Sequence, residues 1–359
     1  MLEQDLPAGR RYPPAVAGQG DTPASNFAPQ RVISPPDPVV SPPGRTSSPL
    51  QRVIWVDGGF VPWADATVHV LSHSLQRGSL IFDYMSVHAT PRGSAIFRLR
   101  EHSERFRRSA ELVGLPLELG VDALMAAVIE SVRANPGAKA VKMSAYLPSI
   151  EVDVVPQDPR LSVAIAAYDP WEDVIRRNPG EWKTRPTVKI WVEKERRNRR
   201  DDILAPQAKV AANYTSPMFA KWAARRRGYD EVLLIDEEGF VAETPTANLF
   251  WVDDDGMLHT PPERLVLLGV TRLSILELAK YDGVPCAETP VRPEELMRAP
   301  EAFLTGTTAG VWPVASIDDQ AIGSTVPGPL SQRLRERFVE ISNGEDPAFH
   351  HWLTFTEES

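Results

Sequence analysis

Proline is spread unevenly along this chain, and that constrains its folding more than any other feature: 11 of the 34 prolines fall within the first 50 of 359 residues. Each pyrrolidine ring fixes φ and removes a backbone donor. Clusters such as Pro35-Pro36-Asp37-Pro38 and Ser41-Pro42-Pro43-Gly44 can therefore continue neither a helix nor a central strand. The stretch also has few apolar residues to offset the entropy of ordering. It reads as a disordered or polyproline-like tail over 1–50. It lacks the continuous apolar segment of a signal peptide. Arginine and serine are plentiful, but no amphipathic helix of the transit-peptide kind is visible. A core must come from the residues beyond 50.

Those residues are enough for one large or two ordinary domains. No run of about 18 apolar residues occurs, which excludes a membrane-spanning helix. Cys286 is the single cysteine, so an intrachain disulfide framework and a multi-cysteine zinc site are excluded, and no metal centre is expected. A formal charge of −9 argues against a nucleic-acid binder, which needs a basic face to neutralise phosphates. The expectation is a soluble, cytoplasmic globular protein.

From Val53 the texture changes. Val53–Val56 and Gly58–Trp63 read as strand, tight turn and strand, and Ser94–Leu99 as a further strand. Apolar spacing predicts helices over 101–113 and 121–134, followed by buried strands at 141–147 and 161–167. Turn chemistry from Asp169 to Gly180 places an interdomain linker at 169–176. Beyond it come a strand at 187–193, a helix near 215–227, a hairpin of Val232–Ile235 with Phe240–Ala242, and a strand at 248–252. Helices at 271–282 and 329–342 complete the reading. It gives a two-domain α+β body, 51–168 and 177–359, behind the tail.

Four segments are too particular for plain packing. Lys209 sits among small residues in Ala205–Tyr214, a setting with little polar company that favours the neutral, nucleophilic amine; taken alone, though, it reads as a surface lysine in an alanine-rich loop. Glu243 ends an apolar strand launched by the turn Asp236–Gly239, where a carboxylate either pairs with a cation or faces solvent. Gly269-Val270-Thr271 precedes a helix and offers free N–H groups to an anion, or simple N-capping by Thr271. Thr305–Gly310 is a small hydroxyl-rich turn able to offer several donors.

The order of these signals, together with Val68–His73 and Phe97–His102 followed by Arg105 and Ser109-Ala110, resembles the class IV, or fold-type IV, pyridoxal-phosphate enzymes over residues 53–355. The branched-chain aminotransferases match best. The resemblance implies the D-amino-acid aminotransferase-like fold, pyridoxal 5′-phosphate as cofactor, an amino donor and a 2-oxo acid acceptor as substrates, and a homodimer or higher oligomer. It implies that Lys209 is the lysine that binds the cofactor covalently. Glu243 faces the pyridine nitrogen, Tyr214 the phenolic oxygen and Leu267 the ring. Arg105, Val270, Thr271 and Thr307 take the phosphate, with Asn248 a further cofactor-binding residue. Thr308 and Ala309 receive the substrate carboxylate, beside Arg77, Phe82, Tyr84 and Lys142 as substrate-binding positions.

The pattern also departs from branched-chain enzymes. Where those read His-Tyr-Gly and Phe-Glu-Gly-Ile-Arg, this chain has Arg77, Tyr84 and Ser86 in place of the tyrosine, second glycine and arginine. Ala140-Val141-Lys142 stands for Tyr-Ile-Arg. Phe82–Val87 is closer in texture to (R)-amine transaminases. An (R)-amine or D-amino-acid transaminase, an aminodeoxychorismate-type lyase, and a non-catalytic cofactor binder or tail-recruited scaffold stay open. One of Arg77, Lys142, Arg197 or Arg199 is expected to meet a second acidic group of the substrate.

Overall fold

Two sheets share the body of the molecule, and the computed structural model describes residues 50–178, 185–198 and 200–357. The proline-rich segment (apart from Leu50), Pro179-Gly180 and Arg199 lie outside the described residues.

The first half holds β1 (Val53–Val56), β2 (Gly59–Pro62), α1 (His73–Arg77), β3 (Ile81–Thr90), β4 (Gly93–Phe97), α2 (Leu99–Leu112), α3 (Val121–Ala134), β5 (Ala140–Tyr146) and β6 (Ser162–Tyr168). The second holds β7 (Val188–Val192), α4 (Thr215–Arg226), β8 (Glu231–Leu233), β9 (Asn248–Val252), β10 (Leu258–Thr260), α5 (Val270–Tyr281), β11 (Cys286–Glu288), α6 (Pro293–Leu296), β12 (Glu301–Gly306), β13 (Gly310–Ile317), β14 (Gln320–Ala321), α7 (Pro329–Ser342) and β15 (Leu353–Phe355). The seven-stranded sheet runs β15-β4-β3-β5-β6-β1-β2, antiparallel throughout. The eight-stranded sheet runs β11-β10-β9-β12-β13-β7-β8, with β14 on β13, and is mixed. The chain's last strand, β15, pairs with β4 and so returns to the first sheet.

β3, an interior strand of the first sheet, is absent from the sequence reading, and its side chains explain the omission. Ile81, Asp83, Met85 and Val87 are buried while Phe82, Tyr84, Ser86 and His88 turn to the opposite face. Two aromatics on the outward face and a carboxylate on the inward face erase the apolar–polar alternation that marks a half-buried strand. β12 and β13 were likewise legible only through the turn between them. The hairpin at 232–242 forms: Leu234 exchanges backbone bonds with Ala242 and Glu243, Asp236 N donates to the Phe240 carbonyl, and Ile235 faces Val241, although only β8 continues as a strand. Its turn is closed by Asp236 Oδ1, which accepts from the N–H groups of Glu238 and Phe240. The 169–176 segment forms helical turns, Pro170–Val174 and Ile175–Arg177. Asp169 pairs with Lys139 at 2.8 Å, and Asp173 with Arg52 at 2.8 Å.

α2 and α3 cover one face of the first sheet because their apolar residues recur at helical spacing. Leu99, Phe106 and Ala110 meet Leu124, Val128, Met85 and Met143 in one core. A second core lies where α5 and α7 cover β9, β12 and β13. It extends to β4, where the ring of Phe97 meets those of Phe338 at 5.3 Å and Trp352 at 5.9 Å. Phe106 has no exposed surface, so Phe106→Ala is expected to lower unfolding free energy by about 3–5 kcal/mol. Denaturant unfolding with an unchanged slope checks this.

Candidate active site

The segment bearing Lys209 is fixed from both sides before its side chain does anything. The Lys209 N–H donates to Ser109 Oγ of α2 at 3.0 Å, and its carbonyl accepts from Phe82 N of β3 at 3.0 Å. Ala211 N donates to the Leu80 carbonyl at 2.7 Å, and Asn213 Nδ2 closes the loop on the Ala208 carbonyl at 2.9 Å. A helical turn, Ala211–Tyr214, leads into α4 and places Tyr214 beside the lysine. Lys209 Nζ donates to Tyr214 Oη at 3.0 Å, so the ammonium has a polar neighbour that the sequence did not suggest. The Phe82 ring stands 5.0 Å from that of Tyr214 and 5.0 Å from Lys209 Nζ.

Glu243 lies along the same cleft and is buried rather than solvent-facing. Its carboxylate accepts from Asn248 Nδ2 at 3.1 Å and from Leu267 N at 3.2 Å, while Asn248 Nδ2 also donates to the Leu267 carbonyl at 2.8 Å. Gly269 leaves room for Asn248: a Cβ there would overlap Asn248 Oδ1 and push that side chain aside. It is also the N-cap of α5, whose first turn has no side-chain cap. Thr271 is the helix's second residue rather than its cap. The N–H groups of that turn therefore face the cleft with the positive end of the helix dipole. Gly306, Thr307 and Thr305 line the wall opposite. Thr305 Oγ1 is buried with no hydrogen-bond partner among the described residues.

Arg105 completes this end. It donates through Nε and Nη2 to Asp83 at 2.8 and 2.7 Å and through Nη1 to the Leu268 carbonyl at 3.2 Å. Asp83 also accepts from His102 Nδ1 at 2.7 Å. The neighbouring Arg105 charge and His102 bond hold Asp83 well below the usual carboxylate range although burial opposes this. Burial pushes His102 down. Asp83 was not singled out in the sequence, and His102 and Thr305 entered only as members of the Phe97–His102 and Thr305–Gly310 segments, with no role of their own. For His102 the signal was its i, i+3 spacing to Arg105 on one helix face.

The expected substrate positions separate. Thr307 Oγ1 donates to the Tyr84 carbonyl at 3.4 Å, and the Tyr84 phenol is hydrogen-bonded to Thr308. Thr308 and Ala309 sit exposed in the turn. Lys142 Nζ lies 5.0 Å from the Phe82 ring centroid, with no carboxylate paired to it among the described residues. Partial desolvation, and then the charge of Lys209, push its pKa down. It lines a cavity of about 680 Å³ walled largely by Ile54, Val56, Val61, Trp63, Ala166 and Tyr168. Arg77 instead donates to the Val152 carbonyl at 2.9 Å, and Arg197 to the Lys194 carbonyl at 3.1 Å.

Burial, then Tyr168, push the Tyr84 phenol up to about 12. Its proton is held more tightly when folded, so the stabilisation is full below the ordinary phenol value of about 10 and is lost as pH rises toward 12. A phenolate absorbance titration of the wild type minus Tyr84→Phe should show ionisation only near pH 12. Gly269→Ala should displace Asn248 and disturb the Glu243 cluster, read as a weaker hold on any ligand of the cleft at little cost in secondary structure.

The amino-transferase class IV family model matches residues 80–317. A branched-chain-amino-acid aminotransferase of Pseudomonas aeruginosa is 32% identical over 306 residues, covering 85% of this chain and 97% of that protein. One of Escherichia coli is 33% identical over 303 residues, covering 84% and 96%. Among solved structures, the T.th. branched-chain amino acid aminotransferase with pyridoxamine 5′-phosphate superimposes with a TM-score of 0.78 at 33% identity, covering 86% of this chain and 99% of that one. The same enzyme complexed with N-(5′-phosphopyridoxyl)-L-glutamate gives the same values.

Proposed function

The chain belongs to the class IV aminotransferases, and we propose that it moves an amino group between a branched-chain amino acid or glutamate and a 2-oxo acid. It is a pyridoxal-phosphate-dependent transaminase. One observation carries the assignment of roles: a single cleft collects the Lys209–Tyr214 pair, the Glu243–Asn248–Leu267 cluster, and Arg105 with the first turn of α5.

These residues fit pyridoxal 5′-phosphate. A helix N-terminus with no side-chain cap, an arginine, and the Thr305 hydroxyl, which has no partner among the described residues, suit a phosphate at one end, and the Glu243 carboxylate suits a pyridine nitrogen at the other. When bound, the cofactor supplies a protonated heteroaromatic ring that accepts the electrons released as the donor's α-proton leaves. The protein's part is to hold and to move protons. Lys209 Nζ binds the cofactor and, once displaced by the donor amine, carries a proton as base and then acid. Tyr214 Oη, 3.0 Å from that nitrogen, orients it. Asn248 Nδ2 and Leu267 N keep Glu243 aimed. Arg105, Val270, Thr271 and Thr307 hold the phosphate, Leu267 packs on the ring, and Thr308 and Ala309 receive the substrate carboxylate.

The side-chain pocket supports the substrate. Largely apolar walls, with Asp65 in the lining and one ammonium that no described carboxylate pairs, accept a branched aliphatic chain in one half-reaction and the glutamate carboxylate, on Lys142, in the other. Phe82, whose ring centroid is 5.0 Å from Lys142 Nζ, and Tyr84, opposite Lys142 in the β3–β5 register, stand beside that ammonium. Arg77, tied to Val152, acts at the rim by holding the 150s loop. The comparisons do not favour the (R)-amine, D-amino-acid and lyase readings.

We place the protein in the cytoplasm as a homodimer. The lone cysteine suits a reducing compartment, and no described helix is long and apolar enough to cross a membrane. Exposed Val68, Val70 and Leu71 lie on one segment and Ile150, Val152 and Val154 on another. The bridge of Ser72 to Ile150 brings the two together into a patch of the kind that a second copy covers.

Mixing the cofactor-loaded protein with single donors and no acceptor tests the reading. L-leucine and L-glutamate should each convert the cofactor spectrum to the pyridoxamine form. Conversion only by D-alanine or (R)-1-phenylethylamine would overturn the reading. Lys209→Ala should lose turnover by roughly a thousandfold or more. Lys142→Met should raise KM for glutamate by about tenfold, far more than for leucine.

A further inference from the structure

Asp83 has no place in the chemistry above, yet it is the most completely enclosed charge near the cleft, with no exposed surface. On β3 its immediate neighbours on the same face are Ile81 and Met85, which offer an ionised carboxylate nothing. Such a charge persists only if paired and hydrogen-bonded. It takes both Nε and Nη2 of Arg105, Nδ1 of His102, and the N–H of Tyr84 at 2.8 Å. An ionised carboxylate only accepts, so His102 carries its proton on Nδ1. The approach of Arg105 Nη2 to that nitrogen, 3.3 Å, is then no hydrogen bond. Of the five guanidinium N–H groups, two go to Asp83 and one to the Leu268 carbonyl, which leaves two uncommitted among the described residues.

We propose that Asp83 is the positioning residue of the phosphate end: its two-pronged bond sets the plane of the Arg105 guanidinium so that the two remaining donors meet the cofactor's phosphate. The inference rests on the assignment of Arg105 to the phosphate. The Leu268 carbonyl supplies one bond and cannot fix a plane alone. Two parallel bonds from a rigid carboxylate do, and Asp83 is rigid because strand register and His102 hold it. Asp83 itself touches no cofactor atom.

The test compares two ligands that differ only by the phosphate. Affinities of pyridoxal 5′-phosphate and of pyridoxal are titrated by absorbance into the cofactor-free full-length protein, as wild type, Asp83→Asn, Arg105→Gln and the double variant. Asp83→Asn should weaken pyridoxal 5′-phosphate by about tenfold or more and leave pyridoxal within about twofold. In the Arg105→Gln background the same change should cost nothing further, because Asp83 acts through Arg105. Equal losses for both ligands, no loss, or losses that add in the double variant would overturn the proposal. If Arg105→Gln itself weakens both ligands alike, the assignment of Arg105 fails first and this inference falls with it. Should Asp83→Asn not fold, crystal structures of the wild type with and without cofactor decide. Arg105 must keep both bonds to Asp83 in each, and release from Asp83 in either contradicts the proposal.

Discussion

A carboxylate sealed from water has to be met by a cation, and the Asp83–Arg105 pair meets this demand in a way that organises everything around it. The pair ties β3 of the first sheet to α2, and the Nη1 bond from Arg105 to the Leu268 carbonyl carries the tie to the loop that begins α5. Through that one guanidinium the strand, the helix and the opposite wall of the cleft share a geometry. Removing either partner would leave a buried charge uncompensated, so the arrangement is held by the cost of breaking it more than by the energy of making it.

The same strand organises the catalytic lysine. The backbone of Leu80 and Phe82 and the Ser109 hydroxyl of α2 hold residues 209 and 211, while the outward face of β3 gives Phe82 to both lysines and Tyr84 to the Thr308 turn. The second sheet contributes its own fixed cluster, in which Glu243, Asn248 and Leu267 lock one another and Gly269 leaves room for Asn248. The reacting groups are thus presented by backbone and buried polar contacts already satisfied within the fold, which is the condition for a preorganised site.

Helices whose buried side is mostly apolar, such as α3 and α7, were legible in the sequence nearly to the residue, because a 3.6-residue period survives without knowledge of partners. β3 was not, since its inward Asp83 and outward aromatics reverse the usual pattern, and that single omission hid the ion pair. Lys209 and Glu243 taken one at a time resembled a surface lysine and a strand-end glutamate; only the order of several motifs pointed to pyridoxal phosphate. The family comparison agrees with that order. Which cations had local partners was invisible: Arg77 and Arg197 are bound to nearby carbonyls, whereas Lys142 faces the cavity with no carboxylate beside it among the described residues.

Two lysine ammonium groups, each 5.0 Å from the Phe82 ring, compete for the covalent role, and the account stands on Lys209 being the one that takes it. Loading the protein with pyridoxal 5′-phosphate, trapping the bond with borohydride and mapping the labelled peptide by mass spectrometry decides between them. The account predicts label on Lys209 and none on Lys142. Label on Lys142, or none on either, would contradict it.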